Sequence, residues 1–352
     1  DPYFDGKGPS RKGCVFCGEC MVGCRHDAKN TLDKNYLYLA EALGVRIIPE
    51  MDVFDIKKTD RGFSVSARRS TGLRHPVTEF QSNKVVISGG VMGSVKLLMG
   101  CKQKGSLPAL SSQLGNFVRS NSEAIIGVKT PKPDSELASG IAISAGFHPD
   151  EETHIETFRY GRGQNMMGLL TTDMPKPNSS AGLVYWLINF IKHPIRNILY
   201  FFPIRWSERG IFLLVMQPIN NYLRIVYERK WWKFGKFSIN TINESSVPVP
   251  GRIEIGEKIA ESIAKKVGGH CSTTYPSAIL NVPTTAHILG GARISDSPEN
   301  GVIDNNLEAF GYKGLYVIDG SSVPSNLGVN PSLTITALAE YAMSRFPKKG
   351  KS

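Results

Sequence analysis

The stretch "GLYVIDGSSVPSNLGVNPSLTITALAE", residues 314–340, decides the fold class of this 352-residue chain. Its apolar run ends at Asp319-Gly320, which indicates a buried strand with an acidic residue and a glycine at its carboxyl end. In α/β sheets, ligands bind at the carboxyl ends of the strands. A helical pattern begins after Asn330-Pro331, and the amino terminus of such a helix can face an anion or an electron-rich ring. The stretch therefore predicts a ligand site in an α/β sheet.

Two shorter segments support an α/β architecture. The run "KVVISGGVMGSVKLL", residues 84–98, reads as a buried strand, a glycine-rich turn and a helix. In "AHILGG", residues 286–291, His287 precedes a glycine pair that allows the backbone to approach a ligand closely. A histidine taken alone is most often a hydrogen-bonded core residue, so its place in a larger pattern matters.

The order of His, Asp-Gly, Asn-Pro and helix resembles the carboxyl-terminal signature of the glucose-methanol-choline (GMC) oxidoreductases, in their cholesterol-oxidase-like branch. The resemblance implies an α/β, Rossmann-like FAD-binding domain that is incomplete at its amino-terminal end. It also implies an α+β substrate domain with a mainly antiparallel sheet. We expect the FAD-binding domain to comprise residues 1–120 and 251–352, and the substrate domain to comprise residues 121–250.

The resemblance also implies roles for individual residues. His287 matches the histidine that hydrogen-bonds the substrate hydroxyl, and Asn330 matches the asparagine that polarises the flavin ring. Glu156, in "HIETFRYGRG", is the candidate for the base, with a solvent-exposed strand residue as the alternative. The candidates for FAD binding are Gly90, Gly93, Asp319, Gly320, Val329, Asn330 and Thr334.

One element of the family pattern is missing from these residues. Flavoenzymes of this type hold the FAD pyrophosphate with a G-x-G-x-x-G turn between a strand and a helix. No such motif occurs in the sequence, and "SGGVMGS", residues 88–94, has the wrong spacing. The resemblance implies that roughly 150–200 residues of the family pattern lie on the amino-terminal side. We expect the 352 residues by themselves to bind FAD weakly.

Four cysteines are concentrated in "GCVFCGECMVGCRHDAKNTL", residues 13–32. Their C-x2-C-x2-C-x3-C spacing is that of a bacterial ferredoxin, although Arg25 replaces the usual proline after the last cysteine. Three interpretations remain open: a [4Fe–4S] cluster, a zinc ion with His26 as a further ligand, and unligated structural or redox thiols. The candidate metal ligands are Cys14, Cys17, Cys20 and Cys24.

The charge and hydropathy patterns bear on partners. The net charge is +11, but no basic run is interleaved with stacking aromatics, so we expect no nucleic-acid partner. The apolar segment "LVYWLINFIKHPIRNILYFFPIRW", residues 183–206, is interrupted near its centre by Lys192, His193 and Arg196. A membrane-spanning helix needs about 20 apolar residues without such a break. The segment therefore predicts either a pair of core helices or an amphipathic element on a membrane surface.

The sequence thus predicts an FAD-dependent enzyme that oxidises the CH–OH group of a hydrophobic alcohol, such as a 3-hydroxysteroid. Clustered cysteines do not form the framework of a secreted disulfide protein, so we expect a cytoplasmic location with peripheral membrane contact. Two alternatives stay open. One is an iron–sulfur electron-transfer flavoprotein dehydrogenase, and the other is a lipid-binding or membrane-binding protein without catalysis.

Overall fold

A computed structural model describes residues 4–175, 182–231, 235 and 237–346. The chain divides into two compact units, each assembled from separate parts of the sequence. The antiparallel unit comprises Asp1–Ile48, Glu123–Met216 and Pro250–Thr284. The α/β unit comprises Pro49–Ser122, Gln217–Val249 and Thr285–Ser352.

The regular elements alternate along the chain. The helices are α1 (Tyr36–Ala42), α2 (Gly90–Lys104), α3 (Leu183–Lys192), α4 (Pro194–Ile198), α5 (Glu254–Val267) and α6 (Ser332–Ser344). The strands are β1 (Met51–Thr59), β2 (Gly62–Arg69), β3 (Val77–Ser82), β4 (Val85–Ile87), β5 (Ala124–Lys129), β6 (Ile143–Phe147), β7 (His154–Phe158), β8 (Thr171–Asp173), β9 (Gly210–Met216), β10 (Leu223–Arg229), β11 (Phe237–Asn243), β12 (His270–Thr274) and β13 (Leu315–Val317).

The antiparallel unit is organised around a six-stranded sheet with the order β6-β7-β9-β5-β12-β8. Every neighbouring pair in this sheet is antiparallel. Helix α5 packs on the sheet because Ala260 and Ala264 are buried together with Ile126 and Val215. Gly256 allows the close approach, since a Cβ atom there would lie 2.6 Å from Val215. The predicted mainly antiparallel sheet is confirmed.

The α/β unit contains the predicted strand, glycine turn and helix. Strand β4 pairs in parallel with β13, and α2 follows β4 directly. Val95 and Leu98 on α2 are fully buried, as are Leu315 and Val317 on β13. The three-stranded antiparallel sheet β1-β2-β3 and the pair β10-β11 belong to the same unit. Buried apolar residues from the amino-terminal and the carboxyl-terminal parts of this unit thus form one core.

Two local predictions differ from the structure. The apolar pattern of "VRIIPE", residues 45–50, predicts a short strand, but the segment has no strand structure, and Val45, Ile47 and Ile48 are exposed. Pro49 has no N–H group to donate to a sheet, and β1 begins only after it, at Met51. The pattern "NTLDKNYLYLAEALG" predicts a helix with Asn30 or Thr31 as its cap. A short 3-10 helix, Leu32–Lys34, does begin there with Thr31 as its N-cap, and α1 follows from Tyr36, whose N–H the Asn35 side chain accepts.

The bounds of the two units differ from the bounds of the predicted domains. The boundary expected at residue 120 lies close to the division between Ser122 and Glu123. Residues 1–48 and 250–284 fall in the same unit as the middle of the chain, because β12 and α5 join the six-stranded sheet. The antiparallel unit is therefore built from three parts of the sequence.

We predict that Gly290→Ala lowers the free energy of unfolding by about 2 kcal/mol or more. Gly290 has φ +75°, and a Cβ atom there would lie 2.1 Å from the Phe117 carbonyl oxygen. The matched control is Gly93→Ala in α2, where a Cβ atom meets no described atom within 4 Å. Denaturant unfolding of the full-length protein measures both. A Gly290→Ala protein as stable as the wild type would contradict the prediction.

Candidate active site

The Asp319 carboxylate organises the carboxyl end of β13. Asp319 is buried, and one of its oxygens accepts the Ser94 hydroxyl at 2.5 Å. Its other oxygen accepts the backbone N–H of Ser321 at 2.8 Å and the Ser321 hydroxyl at 2.5 Å. Ser94 lies on α2 and also accepts the Gly89 N–H at 2.9 Å. The carboxylate therefore fixes the glycine turn after β4 next to the end of β13.

The glycine turn is open to a ligand. Gly90 has φ +68°, a conformation that favours glycine, and it starts α2. A Cβ atom at Gly90 or Gly93 would meet no atom of the described residues within 4 Å. The amino terminus of α2 carries N–H groups and a partial positive charge, which favour an electron-rich ligand. Two of the predicted cofactor-binding glycines thus lie at an accessible helix start.

Gly320 brings the His287 segment next to the start of α6. The Gly290 N–H donates to the Gly320 carbonyl oxygen at 2.9 Å. A Cβ atom at Gly320 would lie 3.4 Å from Ile335 Cδ1 and 3.5 Å from the Ile288 carbonyl oxygen. His287 is half-buried, and its backbone N–H donates to Thr285 Oγ1 at 2.9 Å. The predicted His and Asp-Gly motifs therefore meet in the α/β unit.

The loop before α6 is held by the Asn121 carboxamide. Asn121 Oδ1 accepts the backbone N–H groups of Leu327 and Gly328 at 2.9 and 2.8 Å. Asn121 Nδ2 donates to the Val329 carbonyl oxygen at 3.0 Å. This side chain thus fixes the backbone immediately before Asn330. Asn330 and Thr334 are half-buried, and the Val329 side chain is exposed.

Asn326 and Arg119 complete the buried support of this loop. Asn326 accepts the Asn121 N–H at 2.8 Å and donates to the Ile219 carbonyl oxygen at 2.6 Å. Arg119 donates to the Pro324 carbonyl oxygen at 3.1 Å. Burial lowers the pKa of the Arg119 guanidinium, and repulsion from Arg293 adds to the effect. Sequence analysis missed these supporting residues, although the polar run "RSNSE" at 119–123, before an apolar strand, was a usable signal.

Glu156 lies in the antiparallel unit, whereas His287 and Asn330 lie in the α/β unit. It is buried on β7, and its Oε1 atom is 3.0 Å from His154 Nε2. The other ring nitrogen of His154 is 3.0 Å from Nε2 of His148, whose side chain is exposed. Glu156 is therefore not a solvated strand residue. A chain of two imidazoles links its carboxylate to the surface, and sequence analysis did not single out either histidine.

The four clustered cysteines lie in the antiparallel unit, and none forms a disulfide. Together with His26, their side chains line one cavity of about 240 Å³. The backbone N–H groups of Lys29, Ala28 and His26 point at the Cys24 thiol and lower its pKa. The structure thus places all four predicted metal ligands around one cavity. Among the described residues, the group whose ligand atoms lie within 4.8 Å of one another is Cys17, Glu19 and His26.

Comparisons with known proteins identify the family. A family model described as GMC oxidoreductase matches residues 9–105, and a second with the same description matches residues 258–339. The chain is 41% identical over 358 residues to a cholesterol oxidase of Acinetobacter baumannii, covering 99% of this chain and 64% of that protein. It belongs to the GMC oxidoreductase family. The resemblance seen in the sequence is confirmed.

Other relatives give the same result. The chain is 42% identical over 364 residues to a cholesterol oxidase of Mycobacterium tuberculosis, covering 100% of this chain and 62% of that protein. It is 24% identical over 371 residues to a long-chain-alcohol oxidase of Arabidopsis thaliana, covering 94% of this chain and 46% of that protein. This GMC chain therefore spans less than two thirds of the length of these relatives.

Solved structures of similar fold support the fold class. A formate oxidase of Aspergillus oryzae RIB40, studied for its FAD modification, matches with a TM-score of 0.56 and 15% identity. The match covers 88% of this chain and 62% of that one. At this identity the likeness concerns the fold alone. Together with the family match it confirms the predicted combination of an α/β domain and a mainly antiparallel one.

We predict that Asn121→Ala lowers the free energy of unfolding by about 2–4 kcal/mol, because it leaves one buried N–H group, one partly buried N–H group and one carbonyl without their partner. Asn121 also has φ +59°, which asparagine tolerates better than alanine. The matched control is Asn305→Ala, which removes an exposed amide that donates to Asp296 at 3.1 Å. Equal unfolding midpoints for the two variants would contradict the role of Asn121.

Proposed function

We propose that the full-length protein is an FAD-dependent oxidoreductase that oxidises the CH–OH group of a hydrophobic alcohol, with a 3-hydroxysteroid as the preferred class. The observation that carries the proposal is the 41% identity to a cholesterol oxidase along 99% of the chain. The α/β unit also contains His287, Asp319-Gly320 and Asn330. Within this unit, Gly320 lies beside the segment that follows His287 and beside the start of α6. These residues supply the polar groups that alcohol oxidation needs.

The α/β unit suits the flavin end of FAD. The open glycine turn at Gly90 and Gly93 provides room and N–H groups at the start of α2. The Asp319 oxygens are already bonded to Ser94 and Ser321, so we assign Asp319 the task of ordering this edge. When bound, FAD supplies the acceptor for the hydride that leaves the alcohol carbon.

His287 and Asn330 are the polar side chains that we place at the reacting groups. The His287 imidazole is suited to hydrogen-bond the substrate hydroxyl and to keep it oriented. The Asn330 amide can donate toward an electron-rich ring. The backbones of both residues are fixed: Gly290 pairs with Gly320 at 2.9 Å, and Asn121 holds Val329 at 3.0 Å. Such fixed positions limit the reorganisation that the reaction requires.

Glu156 is our candidate for the base that accepts the hydroxyl proton. A buried carboxylate is a suitable acceptor when the proton can leave again. The hydrogen-bonded path from Glu156 to His154 and on to exposed His148 offers that exit, because each ring nitrogen lies 3.0 Å from the next group. The two imidazoles can therefore return the proton to solvent after each turnover.

We predict that His287→Ala in the full-length protein slows the reduction of bound flavin by cholesterol by about 10²–10⁴-fold. Glu156→Gln, which keeps the shape but cannot accept the proton, should slow the same step. Anaerobic stopped-flow absorbance measures flavin reduction directly, and the FAD content of each variant is determined in parallel. The control is His75→Ala, which removes an exposed histidine bonded to the Arg69 carbonyl oxygen. A His287→Ala enzyme that is reduced at the wild-type rate would refute the assignment.

The segment 183–206 contains two short helices, α3 and α4, and several of its polar side chains bond to the rest of the antiparallel unit. Asn189 on α3 donates to Asp173 at 2.8 Å, and Arg196 on α4 forms an ion pair with the same carboxylate. Tyr200 donates to Asp173 at 2.9 Å, and Trp186 donates to Thr172 at 2.9 Å. The segment is therefore anchored to the protein through polar side chains. In an ordinary amphipathic helix, the apolar side chains face the protein instead.

The opposite side of the same segment is apolar and exposed. It carries large side chains whose exposed fractions reach 76%, namely Val184, Leu187, Ile188, Ile191, Ile195, Phe202 and Ile204. Lys192 and His193 are exposed beside them. Among the helices of the described residues, none is long and apolar enough to cross a membrane. Exposed apolar residues next to basic ones are typical of segments that lie in a membrane interface.

We therefore propose that this surface rests on a lipid bilayer, where a sterol substrate is dissolved. The net charge of +11 favours approach to anionic lipids. The proposed contact with a bilayer is independent of which residue accepts the hydroxyl proton. It replaces the alternative of a pair of core helices, because most of the apolar side chains of the segment are exposed.

We predict that the double variant Ile191→Ser/Ile195→Ser binds vesicles of phosphatidylcholine and phosphatidylserine at least about tenfold more weakly, since it removes two exposed aliphatic side chains that membrane binding would bury. Co-sedimentation measures the binding. The control is Leu73→Ser/Val77→Ser, which changes two exposed apolar residues of the α/β unit. Oxidation of detergent-solubilised cholesterol should remain unchanged in both variants. Equal vesicle binding by both variants would exclude this surface as the contact.

A further inference from the structure

The cysteine loop, residues 14–26, is fixed to its own unit by backbone contacts. The Gly18 N–H donates to the Gly140 carbonyl oxygen at 2.9 Å, and the Gly140 N–H donates to the Phe16 carbonyl oxygen at 2.7 Å. Gly18 has φ +72°, and a Cβ atom there would lie 2.5 Å from the Ala138 carbonyl oxygen. The loop is therefore held in one conformation on both sides of Cys17.

This conformation turns the cysteine side chains toward a common space. The cavity of about 240 Å³ is lined by Cys14, Cys17, Cys20, Cys24 and His26, together with small apolar neighbours. The Cys17 sulfur, a carboxylate oxygen of Glu19 and a ring nitrogen of His26 all lie within 4.8 Å of one another. Thiolate and imidazole bonds to one zinc ion are about 2.3 and 2.1 Å long, so two ligand atoms of one ion lie at most about 4.4 Å apart, a range that the 4.8 Å limit includes.

The loop cysteines differ from the two cysteines that serve as core residues. Cys101 is fully buried and Cys271 lies in β12, and burial raises the pKa of both thiols to about 12. Cys271 is half-buried, as are Cys17, Cys20 and Cys24, but it packs against the apolar core of its sheet. The four loop cysteines lie instead within eleven positions of one another and line a cavity. Four accessible thiols in one cavity are poor packing groups and are open to oxidation. Metal binding accounts for their convergence better than packing does.

The charges around the cavity suit an anionic metal–thiolate group. Lys29 Nζ donates to the Cys20 carbonyl oxygen at 3.2 Å, which places a cation beside the loop. Arg25 Nε is paired with Glu19 Oε2 at 2.8 Å, and because a carboxylate has two oxygens this ion pair leaves Glu19 able to bind a metal as well. The remaining donors are four sulfurs and one imidazole, which are the ligands that zinc and iron–sulfur centres prefer.

We propose that the cysteine loop binds a thiolate-ligated metal centre, with Cys17 as a ligand in each of its two possible forms. In the first form a single zinc ion is held by Cys17, Glu19 and His26, whose ligand atoms lie within 4.8 Å of one another. In the second form a [4Fe–4S] cluster is held by the four cysteines, and His26 is not a ligand. The centre crosslinks the loop and is independent of the assignment of the alcohol substrate.

The test uses the full-length protein purified without oxygen. Elemental analysis should find close to one zinc per chain, or iron with an equal amount of acid-labile sulfide and a broad absorbance near about 400 nm. Removing the metal with a chelator should lower the thermal unfolding midpoint, because metal binding to the folded state stabilises it. This readout does not depend on turnover or on bound FAD.

Three variants make the test specific. Cys17→Ser should lose the metal in either form, whereas Cys271→Ala, outside the loop, should retain it. His26→Ala should lose zinc but retain an iron–sulfur cluster, which distinguishes the two forms. Circular dichroism shows whether each variant is folded. Wild-type protein with neither metal near stoichiometry, or folded Cys17→Ser with its full metal content, would overturn the proposal.

Discussion

The hydrogen bond between Ser94 and Asp319 is the contact on which the candidate active site depends. It joins the first turn of α2 to the end of β13, and these residues are 225 positions apart in the sequence. Because Asp319 also binds the Ser321 N–H, the same carboxylate shapes the backbone after Gly320. The glycine turn, the Asp-Gly motif and the segment that follows His287 are thereby fixed at one edge of a parallel strand pair.

Asparagine side chains extend this order to the loop before α6. Asn121 and Asn326 satisfy backbone groups that no regular element pairs, and burial makes each of these bonds costly to lose. The Asn330 backbone is therefore placed by a fixed network and not by a flexible linker. A GMC enzyme needs this stiffness, because a polar group at the reacting atoms is effective only when its position is set in advance.

The antiparallel unit uses buried polar groups in a different way. The Asp173 carboxylate is bonded by side chains of α3 and α4 and by Tyr200. These bonds fix the segment with its apolar side exposed to solvent. Glu156 is linked through His154 to a surface imidazole, which gives a buried carboxylate contact with solvent. The cysteine loop adds a third arrangement of polar atoms, with four thiols around one cavity. For each arrangement we have proposed a binding or transfer task.

The sequence by itself determined whatever is encoded in contiguous residues. The strand, glycine turn and helix at 84–98, the family signature at 314–340 and the spacing of the cysteines are local patterns, set by backbone preferences over a few residues. Only the tertiary structure decided the support of Asn330 by Asn121, the histidine partners of Glu156, the absence of a strand at the described residues 45–50 and the outward face of α3. These features depend on contacts between residues far apart in the chain, or on which side of an element meets a neighbour. Local periodicity contains no information about either.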